Sequence, residues 1–174
     1  FSHVFVKKKG VYQGAISQSF LEESPEGNLA SLEIHYEKFA ILDDGNLLDS
    51  IKLFYTFNSN IVPVISKNEK YLGYLSCDDI FCEFSKYPLF SENGAILIIQ
   101  TSGKHYSMTE VCKIVESNNG KVYGCFINLI SDDFIQITLK ISSENPSSID
   151  ETFERYGYNV VHKYYDDEKE DLLK

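Results

Sequence analysis

The sequence predicts a mixed α+β fold in two parts. Three observations carry this: a hairpin-plus-helix pattern occurs twice in the first half, the second half alternates cleanly between strand and helix patterns, and a Pro-containing stretch separates the halves. The 174 residues suffice for one or two compact domains.

The duplication comes first. The stretch VFVKKKGVYQGAIS from Val4 parallels VPVISKNEKYLGYLS from Val62. Each reads as a short apolar strand, a Lys-rich turn and a second apolar strand, the signature of a β-hairpin. Each closes on G-x-x-S, at Gly14–Ser17 and Gly73–Ser76, and the second turn is one residue longer. Helical patterns follow over 18–23 and 77–85. Before the second hairpin, Leu47, Leu48, Ile51, Phe54 and Tyr55 recur at helical spacing behind the helix-start cluster Asp43-Asp44-Gly45-Asn46. No such helix precedes the first hairpin, so the first copy, over 1–24, reads as the C-terminal part of a repeat whose remainder is missing. Residues 25–38, with Pro25 and Gly27, read as a linker holding one short strand. The second copy covers 39–86.

A second linker, 87–93, leads to strands over 95–101, 121–130, 134–141 and 159–165, with helices over 107–118 and 148–156. Met108, Val111, Cys112 and Val115 mark one face of the first helix. The order βαββαβ over 94–166 is ferredoxin-like. The tail 167–174 is charged and expected to fray.

Composition narrows the function classes. A net charge of −10 repels a phosphate backbone unless the cations gather, and Lys7-Lys8-Lys9 is the only basic run, so no nucleic-acid partner is expected. The longest apolar run, Ala95 to Ile99, is too short to span a bilayer, so no membrane partner is expected either. No signal peptide is visible, although the chain starts at Phe1 rather than Met. Cys77, Cys82, Cys112 and Cys125 lack C-x-x-C spacing and read as buried thiols in a reducing cytoplasm. His3, His35, His105 and His162 are scattered, and neither a metal site nor a catalytic pair is suggested by the spacing.

The duplicated unit resembles the cystathionine β-synthase (CBS) domain. The second copy carries the h-P-V strand as Val62-Pro63-Val64 and the G-h-h-S strand end with its acid as Gly73-Tyr74-Leu75-Ser76-Cys77-Asp78-Asp79. In the first copy, Phe5 replaces the proline and Phe20 the acid. The second half resembles an ACT domain, so the chain is similar to small bacterial CBS-pair proteins with a C-terminal ACT-like domain.

The resemblance implies a CBS-domain pair that regulates rather than catalyses. It implies clefts for adenosine-type ligands such as AMP, ATP or S-adenosylmethionine, no required cofactor, and a homodimer. In such a cleft Asp79 would accept hydrogen bonds from ribose hydroxyls, Ser76 would meet phosphate, and Ile61 and Pro63 would flank the adenine. Ser17 marks a weaker first-repeat site, because Phe20 cannot accept a ribose hydrogen bond. With Arg155 the only arginine and Lys67 and Lys70 assigned to a turn, AMP or an adenosyl compound is expected over ATP. Tyr106 falls where amino-acid-binding ACT domains carry glycine, which argues against an amino-acid effector.

Ser76-x-x-Asp79 has a second reading, a capping box that serves only its helix; Ser107-x-x-Glu110 and Ser148-x-x-Glu151 look alike. The two functional expectations are therefore a ligand-sensing regulatory module and a ligand-free dimerisation or protein-interaction scaffold.

Overall fold

The structure, a computed structural model, describes residues 1–23 and 28–165. Pro25 and Gly27 of the first linker, and the tail 167–174 with residue 166, lie outside the described residues. The chain divides into two compact units, Phe1–Phe84 and Ser85–Lys174.

In the first unit, β1 (His3–Lys8) and β2 (Val11–Ser17) pair antiparallel around the two-residue loop Lys9-Gly10. Both loop residues have positive φ, +52° and +84°, as a type I′ turn requires. β4 (Ile61–Ile65) and β5 (Tyr71–Ser76) form the second hairpin. There Ser66 N–H donates to Lys70 O, leaving a three-residue loop with Glu69 at φ +58°. The extra residue read in the second turn is thus a change of loop class. Helices α1 (Gln18–Glu23) and α3 (Cys77–Phe84) follow the hairpins.

The two copies meet about a local twofold. Tyr12 corresponds to Tyr71 and Gly10 to Glu69 in the aligned repeats. Tyr12 N–H donates to Glu69 O at 2.9 Å, and Tyr71 N–H donates to Gly10 O at 3.0 Å, which are mates under the same operation. Val11 and Lys70, also mates, form an antiparallel bridge. At the other end Ser2 N–H donates to Asn60 Oδ1 and Asn60 N–H to Ser2 Oγ, each at 2.9 Å.

Residues 29–38 depart from the expected linker with a strand. Leu29–His35 is a 3-10 helix, started by Asn28, whose side chain accepts from Ala30 N–H. Such local side-chain bonding competes with extended backbone. Glu37 then exchanges both backbone hydrogen bonds with Ala15, each at 2.8 Å, extending the β2 edge. Gly14 is required here: its φ is +151°, and a Cβ would stand 2.8 Å from Tyr36 Cβ.

β3 (Ile41–Leu42) runs parallel to β4, and α2 (Leu47–Thr56) is capped by Asn46, whose side chain accepts from Leu48 N–H. The helix exists as expected, but its apolar residues divide between two faces. Leu53, Phe54 and the following Phe57 pack on the core of Ala15, Phe39, Ile41 and Val62. Phe57 stacks on Phe39 at 4.2 Å between centroids. Buried Ser50 lies on the covered side, small enough for close approach. Leu48, Ile51 and Tyr55 are 59%, 45% and 89% exposed.

The second unit begins with α4 (Pro88–Ser91), a short helix inside the expected second linker. Leu89 lies so close over Gly124 that a Cβ there would stand 2.4 Å from Leu89 Cδ1. β6 (Ala95–Thr101), α5 (Met108–Ser117), β7 (Lys121–Ile130), β8 (Ile135–Ser142), α6 (Pro146–Arg155) and β9 (Asn159–Tyr164) follow. The sheet is antiparallel throughout, in the order β7-β8-β6-β9. Leu97 faces Leu139 and Ile99 faces Ile137 across its centre. These four join Val111, Val115, Ile149 and Phe153 in one buried core beneath α5 and α6.

Ser107 caps α5 by accepting from Glu110 N–H, as its sequence suggests. α6 starts two residues earlier than read: Asn145 accepts from Ser148 N–H, and Pro146 takes the first helical position, where no N–H is needed.

Candidate functional site

The two helix starts after the hairpins occupy equivalent places and differ in chemistry. In the second repeat Ser76 is followed by α3. Ser76 N–H and Oγ–H both donate to Asp79 Oδ2, at 2.8 and 2.7 Å, and Asp79 N–H donates back to Ser76 Oγ at 3.1 Å. This is a reciprocal capping box, and the Ser76 hydrogen bonds hold the Asp79 carboxyl below the usual range. Only Oδ2 is used; among the described residues Oδ1 has no hydrogen-bond partner.

Ile61 is the cross-strand partner of Ser76, and Pro63 lies two residues along the same strand opposite Tyr74. The antiparallel register therefore brings Ile61, Ser76 and Asp79 to one end of the second hairpin, with Pro63 beside them. Ile61 and Pro63 are both buried.

In the first repeat the cap is one-sided. Phe20 N–H donates to Ser17 Oγ at 3.3 Å, and nothing answers from position 20. The Phe20 ring instead packs on His35 of the 3-10 helix, 4.5 Å between centroids.

Ser17 borders a cleft of about 350 Å³ lined also by Ser2, His3, Gln18, Glu22, Glu37, Phe57 and Asn58. Both repeats contribute to it. Its floor is a polar chain: His3 Nε2 lies 2.8 Å from Glu37 Oε2, His3 Nδ1 2.9 Å from Ser2 Oγ, and Ser2 Oγ 3.2 Å from Ser59 Oγ. His3 is 5% exposed, and its hydrogen bonds to Ser2 and to the partly exposed Glu37 are part-buried. Among the described residues, two carboxylates line the cleft and no lysine or arginine does.

Of the cleft residues only Ser17 is expected from the sequence as a site residue; His3 stands there merely among four scattered histidines. The duplication held the signal for one of them: His3 is the first-repeat mate of Ile61, so an imidazole stands where the second repeat has an aliphatic side chain. Glu37, Phe57 and Asn58 reach the cleft only through tertiary packing.

Several chemically capable groups of the second unit are tied into structure. In the second unit buried Asp150 is bonded by Lys163 Nζ at 2.6 Å and by the Tyr165 hydroxyl. Tyr158 O–H donates to Glu110 at 2.8 Å, and burial raises its pKa. Tyr106, the residue at the expected glycine position, packs against the second core. The cysteines depart from the expectation of uniform burial. Cys82 is exposed and the other three half-buried, and none forms a disulfide. Burial pushes the Cys125 thiol up to about 12. No cluster of metal-ligating side chains occurs among the described residues, and none of their helices is long and apolar enough to cross a membrane.

No protein-family model matches the chain, and no curated protein matches its sequence. Among solved structures it is similar to a CBS domain pair/ACT domain protein from Thermotoga maritima, at 18% identity and TM-score 0.40, over 48% of this chain and 69% of that one. It is similar also to CbpB from Streptococcus agalactiae, at 18% identity and TM-score 0.37, over 53% and 65% of the two chains. A CBS domain protein from Shewanella oneidensis gives 19% identity and TM-score 0.35, over 49% and 71%. Likeness at this level is distant and says nothing of ligand or partner.

Proposed function

We propose that the first unit is a CBS-domain pair that senses an adenosine-type ligand and passes the signal through a homodimer, as a regulatory rather than catalytic protein. The observation that carries this is the cleft at Ser17. It joins residues of both repeats, so a ligand there bears on how the two repeats sit together. Its volume of about 350 Å³ is at the small end of ligand pockets. With Glu22 and Glu37 in the lining and no lysine or arginine there among the described residues, it favours a neutral or cationic adenosyl compound such as S-adenosylmethionine over AMP or ATP. Ser76 and Asp79, with Ile61 and Pro63, would form the second site, the unused Oδ1 accepting from a ribose hydroxyl.

The second unit is read as an ACT-like domain. Its βαββαβ order and the strand order β7-β8-β6-β9 are those of the ferredoxin-like arrangement, which supports that reading.

A second reading is a ligand-free dimerisation scaffold. The closed capping box favours it, since Ser76 and Asp79 already satisfy each other. So does the exposed row Leu48, Ile51 and Tyr55 on α2, a face suited to a second copy.

A thermal-shift series with AMP, ADP, ATP, adenosine and S-adenosylmethionine separates the two. Ligand at one hundred times its dissociation constant stabilises by about 2.7 kcal/mol, a rise of roughly 5–11 °C. The sensor reading expects such a rise with an adenosyl compound, reduced in Ser17→Ala and His3→Ala. A flat response to all five, with a stable dimer by sedimentation, establishes the scaffold.

A further inference from the structure

The local twofold does something the linear sequence hides: it brings the two lysine-rich hairpin turns together. Lys7, Lys8 and Lys9 belong to the first tip, Lys67 and Lys70 to the second. The tips are joined by the Val11–Lys70 bridge and by the paired bonds Tyr12 N–H to Glu69 O and Tyr71 N–H to Gly10 O. Lys38 lies beside them, in the wall of a cavity of about 390 Å³ that also includes Tyr12, Gln13, Phe39, Ile65 and Glu69. Six of the 16 basic residues of a chain with net charge −10 thus gather at one end of the first unit. The sequence reading that its cations do not cluster is corrected here.

Like charges brought together repel, and in this molecule they are only partly offset. Lys67 pairs with Asp44 at 2.7 Å, and Lys7 Nζ sits 4.4 Å from the centre of the Tyr71 ring. Lys8, Lys9, Lys38 and Lys70 are exposed, and among the described residues none has a carboxylate within 4.0 Å. The turns are also stiff. Lys9, Gly10 and Glu69 hold positive φ, and main-chain bonds cross between the tips, so the ammonium groups are carried on a fixed base.

We propose that the joined tips are an anion-binding site for a small molecule bearing a compact, multiply charged phosphate group. The cavity favours a small molecule over an extended polyanion. Phosphate oxygens would be met by Lys8, Lys9 and Lys70, and an uncharged portion would enter the space between Tyr12, Gln13 and Lys38. The site is at the opposite end of β5 from Ser76, so it stands or falls apart from the adenosine cleft.

The test is calorimetric titration of the full chain with inorganic tripolyphosphate, at about 50 and about 500 mM salt. Wild type is expected to bind saturably and more weakly at high salt. Lys8→Gln/Lys70→Gln should bind about tenfold more weakly or worse, the scale of losing charge-assisted hydrogen bonds, and Lys38→Gln should also weaken binding. Lys104→Gln/Lys113→Gln, altered in the second unit, should bind as wild type. These exposed substitutions leave the circular dichroism spectrum unchanged. Equal binding by every variant, or no binding by wild type, overturns the proposal. So does salt-sensitive self-association that the Lys8/Lys70 variant abolishes without any binding of tripolyphosphate, since the patch would then serve a protein surface.

Discussion

Ser17 and Ser76 stand at the same point of two repeats that share a hairpin, a turn site and a following helix. The second keeps an acid three residues on and closes a capping box; the first carries Phe20 and leaves its cap one-sided. The flanking strands reverse the pattern. The second repeat presents Ile61 where the first presents His3, bonded to Glu37 and Ser2. Each copy thus holds one polar position of the pair and has made the other apolar. A duplicated fold can keep its backbone symmetry, visible in the mated bonds of Tyr12 and Tyr71, while its two sites drift to different chemistry.

The sharpest break between the copies should come from the Ile61 and His3 mates. Ile61→Ala removes a side chain that is 3% exposed and should destabilise the first unit by about 2–4 kcal/mol in urea unfolding. His3→Ala, which loses hydrogen bonds more than apolar contacts, should cost about 1–2 kcal/mol. If the two cost the same, the contrast between a packed and a hydrogen-bonded position is wrong.

The next contrast is between the glycines of the two G-x-x-S strand ends. Gly14→Ala meets Tyr36 and a positive φ, and should cost about 2 kcal/mol; Gly73→Ala has open space and should stay within about 0.5 kcal/mol. Equal losses would show that the Tyr36 contact does not set the difference. Smaller again is the pair of caps. Ser76→Ala should cost about 1 kcal/mol and Ser17→Ala about half of that, read by the same unfolding curves.

The smallest effect is a titration. The Asp79 pKa is lowered in the folded chain, so the cap's contribution is present above the ordinary carboxylate pKa of about 3.9 and is lost as pH falls through the lower folded value. The Ser76 amide resonance should therefore move in the acid range, below the pH at which an unperturbed Asp titrates. The Ser17 amide, with no acid at position 20, should show no matching step. Coincident steps at both amides would break the comparison.

Much of this was legible in the sequence because its causes are local. The second unit's elements follow from alternation and helical spacing, and Ala95–Thr101 alternates buried and half-buried residues along its whole length. The hairpins follow from their turns. What was hidden depends on partners distant in sequence. The helical spacing of α2 cannot reveal which of its apolar residues meet Phe39 and Val62: Leu53, Phe54 and the following Phe57 do, while Leu48, Ile51 and Tyr55 stand exposed. The Ser76–Asp79 box was readable from spacing alone. The cleft at Ser17 was not, because Glu37, Phe57 and Asn58 come from beyond the first repeat. The lysine cluster was invisible for the same reason: its two halves are turns separated by most of the first unit.

The bonds that join the repeats also set a schedule for making the protein. Ser2 must wait for Asn60, 58 positions later in the chain. At a synthesis rate of about 5–20 residues per second the first hairpin waits roughly 3–12 s for its partner. Throughout that interval Phe5 lacks Tyr71 of the second hairpin, and the β2 edge lacks Glu37 for its first part. Contacts between segments this distant are slow to close in any case. The first hairpin is made well before its mate and is sheltered only when that mate arrives, and on a crowded ribosome array the neighbouring nascent copy offers the same mate.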